Sequence, residues 1–297
     1  MKLYKTTLIP KSSFATPLKG DTIFGHLCWM ILFEFGNDKL EELLEEYKNG
    51  NPFLVVSDGF AKNYLPKPAL PLKYLNEEDK KEARKKKWLT FEDLTKGEYS
   101  KAKKDKDIEF KEEVYEVVKN SINYFTFTTD DSGKFAPYGV REVAINERDI
   151  YFLLDETKFT KKELLKILNL FEDFGYGKDI SSGKGIFEFE KKNNEIELEE
   201  VDFSFESNTF MSLSPFVLDE EVEDIFYNTF VRFGKHGLNR VHTNAFKKPI
   251  LMFDTASVVI LKEKREFIGK AITDVSTSYK DTVHQGYSIL VPIKDMK

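Results

Sequence analysis

Gly175-Tyr-Gly-Lys-Asp-Ile-Ser-Ser-Gly-Lys-Gly185 is the stretch on which the reading of this chain turns. Glycines at 175, 177, 183 and 185 let the backbone enter positive φ and let a second backbone come close. Successive N–H groups in such a loop can point at phosphate oxygens. Ser181 and Ser182 add hydroxyl donors, and Lys178 and Lys184 add positive charge. The spacing is not that of a nucleotide-hydrolysing loop, since Gly-x-x-x-x-Gly-Lys-Ser/Thr is absent. A dinucleotide fingerprint must follow a strand and open a helix. Here the order is reversed, with a helix before and a strand after. Gly175 taken alone is an ordinary helix stop.

Working outward, residues 160–174 form an amphipathic helix. Thr160 and Glu163 make a capping box, and Leu164, Ile167, Leu168 and Phe171 form the apolar stripe. Residues 186–190 alternate as a half-buried strand should. Toward the N-terminus, residues 2–9 read as a strand ended by Pro10. Gly20-Asp21-Thr22 opens a helix with Asp21 as N-cap. That helix is apolar on nearly every side to Phe35, which marks it as buried. Residues 40–47 form a short helix. Asp58-Gly59 between two β-rich runs predicts a hairpin. Residues 76–123 are highly charged and predict a partly helical insertion, with Val114, Val117 and Val118 on a helix face. A second hairpin is expected around Asp131-Ser-Gly133, then a strand over 150–154.

Without the insertion the order is β-α-β-β-α-β, the split pattern of a ferredoxin-like or RRM fold. Composition changes near residue 205. The remainder predicts a strand (209–213), a helix (219–233), a polar loop (234–248) and strands at 250–261 and 287–293. The expected class is therefore α+β. It comprises two ferredoxin-like modules, residues 1–204 and 205–297, with the charged insertion in the first.

The bulk numbers set limits. The 297 residues carry a net charge of −6, so bulk cationic attraction to nucleic acid is excluded, while a local basic groove is not. No apolar run reaches the roughly 20 residues of a membrane span. The single cysteine, Cys28, excludes an intrachain disulfide and fits a reducing, cytoplasmic setting. The N-terminus has no apolar leader.

The loop pattern G-x-G-x-x-x-S-S-G-x-G followed by a Phe-containing strand resembles the signature of the RAMP superfamily of CRISPR proteins. Pro17-Leu-Lys-Gly-Asp-Thr-Ile-Phe-Gly-His-Leu-Cys28 resembles the motif that opens the first helix of type III effector subunits. Residues 53–60 (FLVVSDGF), Leu65-Pro-Lys-Pro68, His284-Gln-Gly-Tyr287 and Val291-Pro-Ile293 resemble the type III-A (Csm) subunit that caps the 5′ end of the guide RNA. The resemblance spans both halves and is weakest over 76–123. Many loops of this kind carry Gly-Gly-Lys-Arg before the serines, where this chain has Lys178-Asp179-Ile180. What the resemblance implies is a non-catalytic subunit holding the repeat-derived 5′ tag of crRNA. It would bridge the large polymerase-like subunit to the backbone RAMP subunit, with no cofactor and no membrane. RNA contacts are then expected at Lys19, Gly20, Asp21, Thr22 and His26. In the loop they are expected at Gly177, Lys178, Ser181, Ser182, Gly183, Lys184 and Gly185. Asp179, which would repel phosphate, shifts the weight to Ser181–Gly185.

Three other features carry weight. His26 is the general acid/base candidate if the chain were instead a metal-independent endoribonuclease that processes guide RNA. A histidine inside an apolar helix is more commonly structural. A purely structural adaptor without RNA contact is a third reading. Residues 232–248 hold Arg232, Lys235, Arg240, Lys247 and Lys248 with no acid, beside Phe233 and Phe246 for stacking. Lys247, Lys248 and Arg240 are therefore further RNA-contact candidates. His236 and His242 lack companions for a metal site. Arg141 can touch RNA or form a surface ion pair. Cys28 reads as a core residue.

Overall fold

The computed structural model describes residues 1–75, 79–130, 133, 135–218, 222–237 and 245–296. The first half builds β1 (Lys2–Pro10), α1 (Gly20–Phe35), α2 (Asn37–Lys48), β2 (Leu54–Val56), β3 (Glu112–Lys119), β4 (Tyr138–Ile145), β5 (Arg148–Leu154), α3 (Lys161–Phe174) and β6 (Phe187–Phe189). Its sheet runs β6-β1-β5-β2 with antiparallel neighbours, so β5 lies between the parallel pair β1 and β2. That is a split βαβ order, but its third strand is β5, beyond the insertion, and not the run after Gly59 that the sequence placed there. Thr160 caps α3, with Glu163 closing the box. The stripe of Leu164, Ile167, Leu168 and Phe171 is fully buried. Each such side chain contributes about 1.5–3 kcal/mol.

The second half builds β7 (Thr209–Ser212), β8 (Asp224–Phe226), β9 (Thr229–Arg232), β10 (Ile250–Phe253), β11 (Val258–Ile260), β12 (Phe267–Ile272) and β13 (His284–Pro292). Its antiparallel sheet runs β8-β11-β7-β13-β12. Read from β13 to β8, four of these strands repeat the order of the first sheet, and β12 is added at the edge.

Among the described residues this half contains no helix. The first half supplies the cover: α1 lies against β13, and α2 against β12. A helix that touches α3 on one side and both β2 and β13 on others must be apolar all round. The joint is polar where backbone meets backbone. Gln285, fully buried, accepts from Val56 N (3.0 Å) and donates to Val56 O (2.8 Å). Tyr287 Oη donates to Tyr47 O at 2.8 Å. One continuous apolar core runs through both halves.

Several expectations were overturned. The N-cap position of α1 is Lys19, and Asp21 lies in the first turn. The terminus is instead capped from outside, with Gly20 N donating to Asp58 Oδ1 at 2.8 Å. Asp58-Gly59 does not close a hairpin. The runs on either side both pair with β5, because that strand offers enough length for two partners. Val114, Val117 and Val118 lie on strand β3, where β-branched side chains fit the pleat. Its partner is β4, so the hairpin expected around Asp131-Ser-Gly133 is a longer one that pairs Glu112–Lys119 with Tyr138–Ile145. The expected turn residues Asp131 and Ser132 lie outside the described residues. Residues 224–226 and 229–232 are strands, not helix, since Ile225, Phe226, Thr229 and Val231 find sheet partners. Strand β12 was not anticipated. The insertion includes the short helices Lys80–Lys85 and Phe91–Lys96. Among the described residues no helix is long and apolar enough to cross a membrane.

Candidate nucleic-acid interface

The glycine loop is anchored by Tyr176, which is fully buried. Its hydroxyl donates to Pro17 O at 2.5 Å, and its amide donates to Gly185 O at 2.9 Å. The two ends of the loop therefore close on each other. Gly185 (φ +65°) could not carry a side chain, for a Cβ there would lie 1.9 Å from Tyr176 O. At Gly177 (φ +83°) a Cβ would meet Thr16 Cβ at 2.6 Å. The loop is sewn to the segment before α1: Gly185 N donates to Ser13 O (2.8 Å) and Lys178 N to Thr16 Oγ1 (2.9 Å).

His26 belongs to this seam. Its Nε2 accepts from Gly177 N at 3.2 Å, which assigns the ring proton to Nδ1. Burial pushes its pKa down to about 4. The ring is packed between Phe171 and Tyr176. His26 thus holds the loop through an acceptor, a role that needs the neutral imidazole. Cys28, two residues on, packs against the core, and burial pushes its thiol up to about 12.

The β3–β4 hairpin lies across the loop. Glu142 on β4 is fully buried and receives Lys184 Nζ (2.5 Å) and Ser13 Oγ (2.7 Å). The hydrogen bond from Lys184 holds the Glu142 carboxyl below the usual range. Further along, Lys119 on β3 reaches Asp179 Oδ2 and Ser182 Oγ, each at 3.4 Å. Asp179 takes the left-handed conformation (φ +65°), and its carbonyl accepts from Ser182 N and Lys184 N. Lys178, Ser181, Ser182 and Gly183 are exposed on the outer rim. Beyond Lys119 the hairpin carries Tyr124, Phe125 and Phe127, exposed by 84%, 97% and 81%.

A second cluster ties the loop's support to the far sheet. Asp21, buried, forms a bidentate pair with Arg232 of β9 and lies 3.0 Å from His284 Nε2 of β13. Burial opposes its charge, and His284 and Arg232 more than offset this, so its carboxyl sits far below the usual range. Lys19 Nζ pairs with Asp58 Oδ2 (2.8 Å) and Asp254 Oδ1 (3.1 Å). Burial works against its charge, but the two carboxylates keep it raised.

The structure therefore separates the expected contact residues. Lys178, Ser181, Ser182 and Gly183 come together on an open rim. Gly177, Lys184 and Gly185 sit beneath it in hydrogen bonds. Lys19, Gly20, Asp21 and Thr22 lie at the opening of α1. There Lys19 and Asp21 are committed to ion pairs, and a Cβ on Gly20 would lie 2.2 Å from Val56 O. Arg141 is exposed, and strand alternation turns it away from Glu142 and the loop. Lys247 and Lys248 belong to the β9–β10 ribbon, where Lys248 pairs with Asp274 at 2.7 Å. His236, inside the same window, is buried against Ser276 Oγ at 2.8 Å. Arg240 and His242 lie outside the described residues. Among the described residues no three His, Cys, Asp or Glu side chains converge as metal ligands.

Sequence reasoning missed Lys119, Glu142 and Asp58. Lys119 and Glu142 are single charges on strands with no local mark, and Asp58 reads locally as a turn residue. The aromatic tip did leave a signal, the run Ile122-Asn-Tyr-Phe-Thr-Phe127 amid polar residues.

No family model matches the chain, and no curated relative does. Solved structures do. Two antiparallel sheets around a shared buried helix, with a glycine loop at the helix's start, make a fold similar to that of Csm4 chains. The chain is similar to Csm4 of a Csm3–Csm4 subcomplex from a type III-A CRISPR-Cas interference complex: 17% identity, TM-score 0.61, 99% of this chain and 100% of that one. It is similar also to Csm4 of a Csm1–Csm4 cassette in complex with cA4: 15% identity, TM-score 0.61, all of both chains. At such identities the likeness is one of fold.

Proposed function

We propose that this chain is a cytoplasmic, RNA-binding subunit of a type III-A CRISPR (Csm) interference complex. In this reading it holds the 5′ repeat-derived tag of crRNA and bridges the large polymerase-like subunit to the backbone RAMP subunit. The carrying observation is the open rim of Lys178, Ser181, Ser182 and Gly183. It rests on a rigid closed loop with a hairpin laid across it. Hydroxyls and a lysine on a fixed backbone suit phosphate contacts, and the exposed tyrosine and phenylalanines of the hairpin suit unstacked bases. The full-length likeness in fold to Csm4 chains, found with Csm1 or Csm3, supports the assembly. We infer also that the second half is a ferredoxin-like module, without helices among its described residues, on the strength of its strand order.

The subunit acts without catalysis of its own. His26, the one candidate acid/base, is occupied by Gly177 N and is neutral near pH 7. A general acid needs a proton to give at that pH.

The test is binding of a 5′-tagged guide RNA, by the chain alone and with its backbone partner, across a salt series. Binding that weakens with salt and prefers the tag is expected. If neither form binds, the chain is an adaptor between proteins. Cleavage of repeat RNA that is lost in His26→Ala would establish the endoribonuclease instead.

A further inference from the structure

Within the loop one carboxylate lies between two lysines. Asp179 Oδ2 lies 3.4 Å from Lys119 Nζ and 3.9 Å from Lys178 Nζ. Lys119 Nζ also lies 3.4 Å from Ser182 Oγ. Two ammonium groups thus flank one anionic oxygen, a cationic pair that suits a phosphodiester, and the Ser182 hydroxyl beside Lys119 donates to Asp179 O at 3.0 Å. The group is reachable: the side chains of Lys119 and Asp179 are 25% and 26% exposed, and that of Lys178 is 61% exposed. Lys119 comes from the hairpin and the others from the loop, so the site exists only where the two elements meet.

The geometry points to an RNA phosphodiester site formed by Lys119 and Lys178 beside Ser182, in which Asp179 is a built-in competitor for the anion position. This rests on the RNA-binding reading above. An incoming phosphate takes over Lys119 and Lys178 as Asp179 swings out toward solvent. The exchange trades one salt bridge for another. Binding is weaker than the cations alone would give. A non-phosphate surface is likewise kept from sticking to a bare basic patch.

Asp179→Asn tests this, because asparagine tolerates the left-handed conformation and removes only the charge. Asp179→Gly, equally at ease at positive φ, is the second variant should the first misfold. The probe is a 5′-tagged RNA, titrated onto the chain in complex with its backbone partner. Either variant should bind about fivefold tighter, the worth of one partly exposed ion pair. The salt dependence should steepen by about one phosphate contact. In a Lys119→Gln background the gain should vanish.

Wild-type binding that Asp179→Asn leaves unchanged or weakens overturns the competitor role and leaves the RNA-binding reading standing. A gain that persists in full without Lys119 reflects net charge alone and also overturns it. Absence of binding by wild type and both variants overturns both readings.

Discussion

Arg232 and Asp21 are held in a fork-to-carboxylate pair, Nε to Oδ2 and Nη2 to Oδ1 each at 2.5 Å, across more than two hundred residues of sequence. The pair fastens the β9–β10 ribbon to the first turn of α1. Removing one partner leaves a buried charge. Arg232→Gln should therefore lose about 3–5 kcal/mol in denaturant unfolding. A loss below about 1 kcal/mol would show that the pair is solvated.

Acid should act on the same carboxylate. Asp21 has a folded pKa depressed below its unfolded value, so its stabilisation is present above that unfolded value, about pH 4. It is lost as pH falls further toward the folded pKa. Stability measured from pH 5 downward should fall less steeply in Asp21→Asn, whose starting stability is lower. Parallel curves for the two proteins would contradict this.

His26 makes the complementary case. Its folded pKa, about 4, lies below the unfolded value of about 6.5. Between these limits the unfolded chain binds the extra proton, so stability declines as pH falls from about 6.5 to 4. Nuclear magnetic resonance titration should find a midpoint near 4 with Nδ1 protonated. A midpoint at or above 6.5 would release His26 from its bond to Gly177.

The loop glycines should differ in kind. Gly185→Ala places a Cβ against Tyr176 O and should cost more than about 2 kcal/mol. Gly183→Ala meets nothing within 4 Å and bears only the cost of φ +81°, about 1 kcal/mol. Thermal melts of the two variants should separate by several degrees, with Gly183→Ala the more stable.

Cations around the loop should also divide. Lys178→Ala should weaken RNA binding and leave the melting temperature unchanged, because the side chain is exposed on the rim. Lys184→Ala should lower the melting temperature, because buried Glu142 loses its cation. Equal effects of both on binding, with no change in either melt, would contradict the division.

Much of the frame was legible in advance. The capping box at Thr160 and Glu163, the stripe of α3 and the alternation around Phe187 and Phe189 are local signals. The structure has each of them where expected. The errors share one cause. Val114, Val117 and Val118, like Ile225, Phe226 and Phe230, recur at spacings that fit a helix face as well as a strand. Only a partner decides between the two. Glu112–Lys119 found Tyr138–Ile145, and Thr229–Arg232 found Ile250–Phe253, and pairing prevailed over helical spacing.

By itself the sequence determined the first strand, helix α3 with its cap, and the burial of α1. It also marked the closed glycine loop, because four glycines, a capping box and apolar periodicity act over a few residues. Only the tertiary structure decided what those residues do. Asp21 and Lys19 became ion-paired supports, His26 an acceptor for the loop, and Lys119 a member of its rim. Charges are assigned by what comes within about 4 Å of them, and their partners here lie 39 to 263 residues away. Such distances in sequence are closed only by the fold.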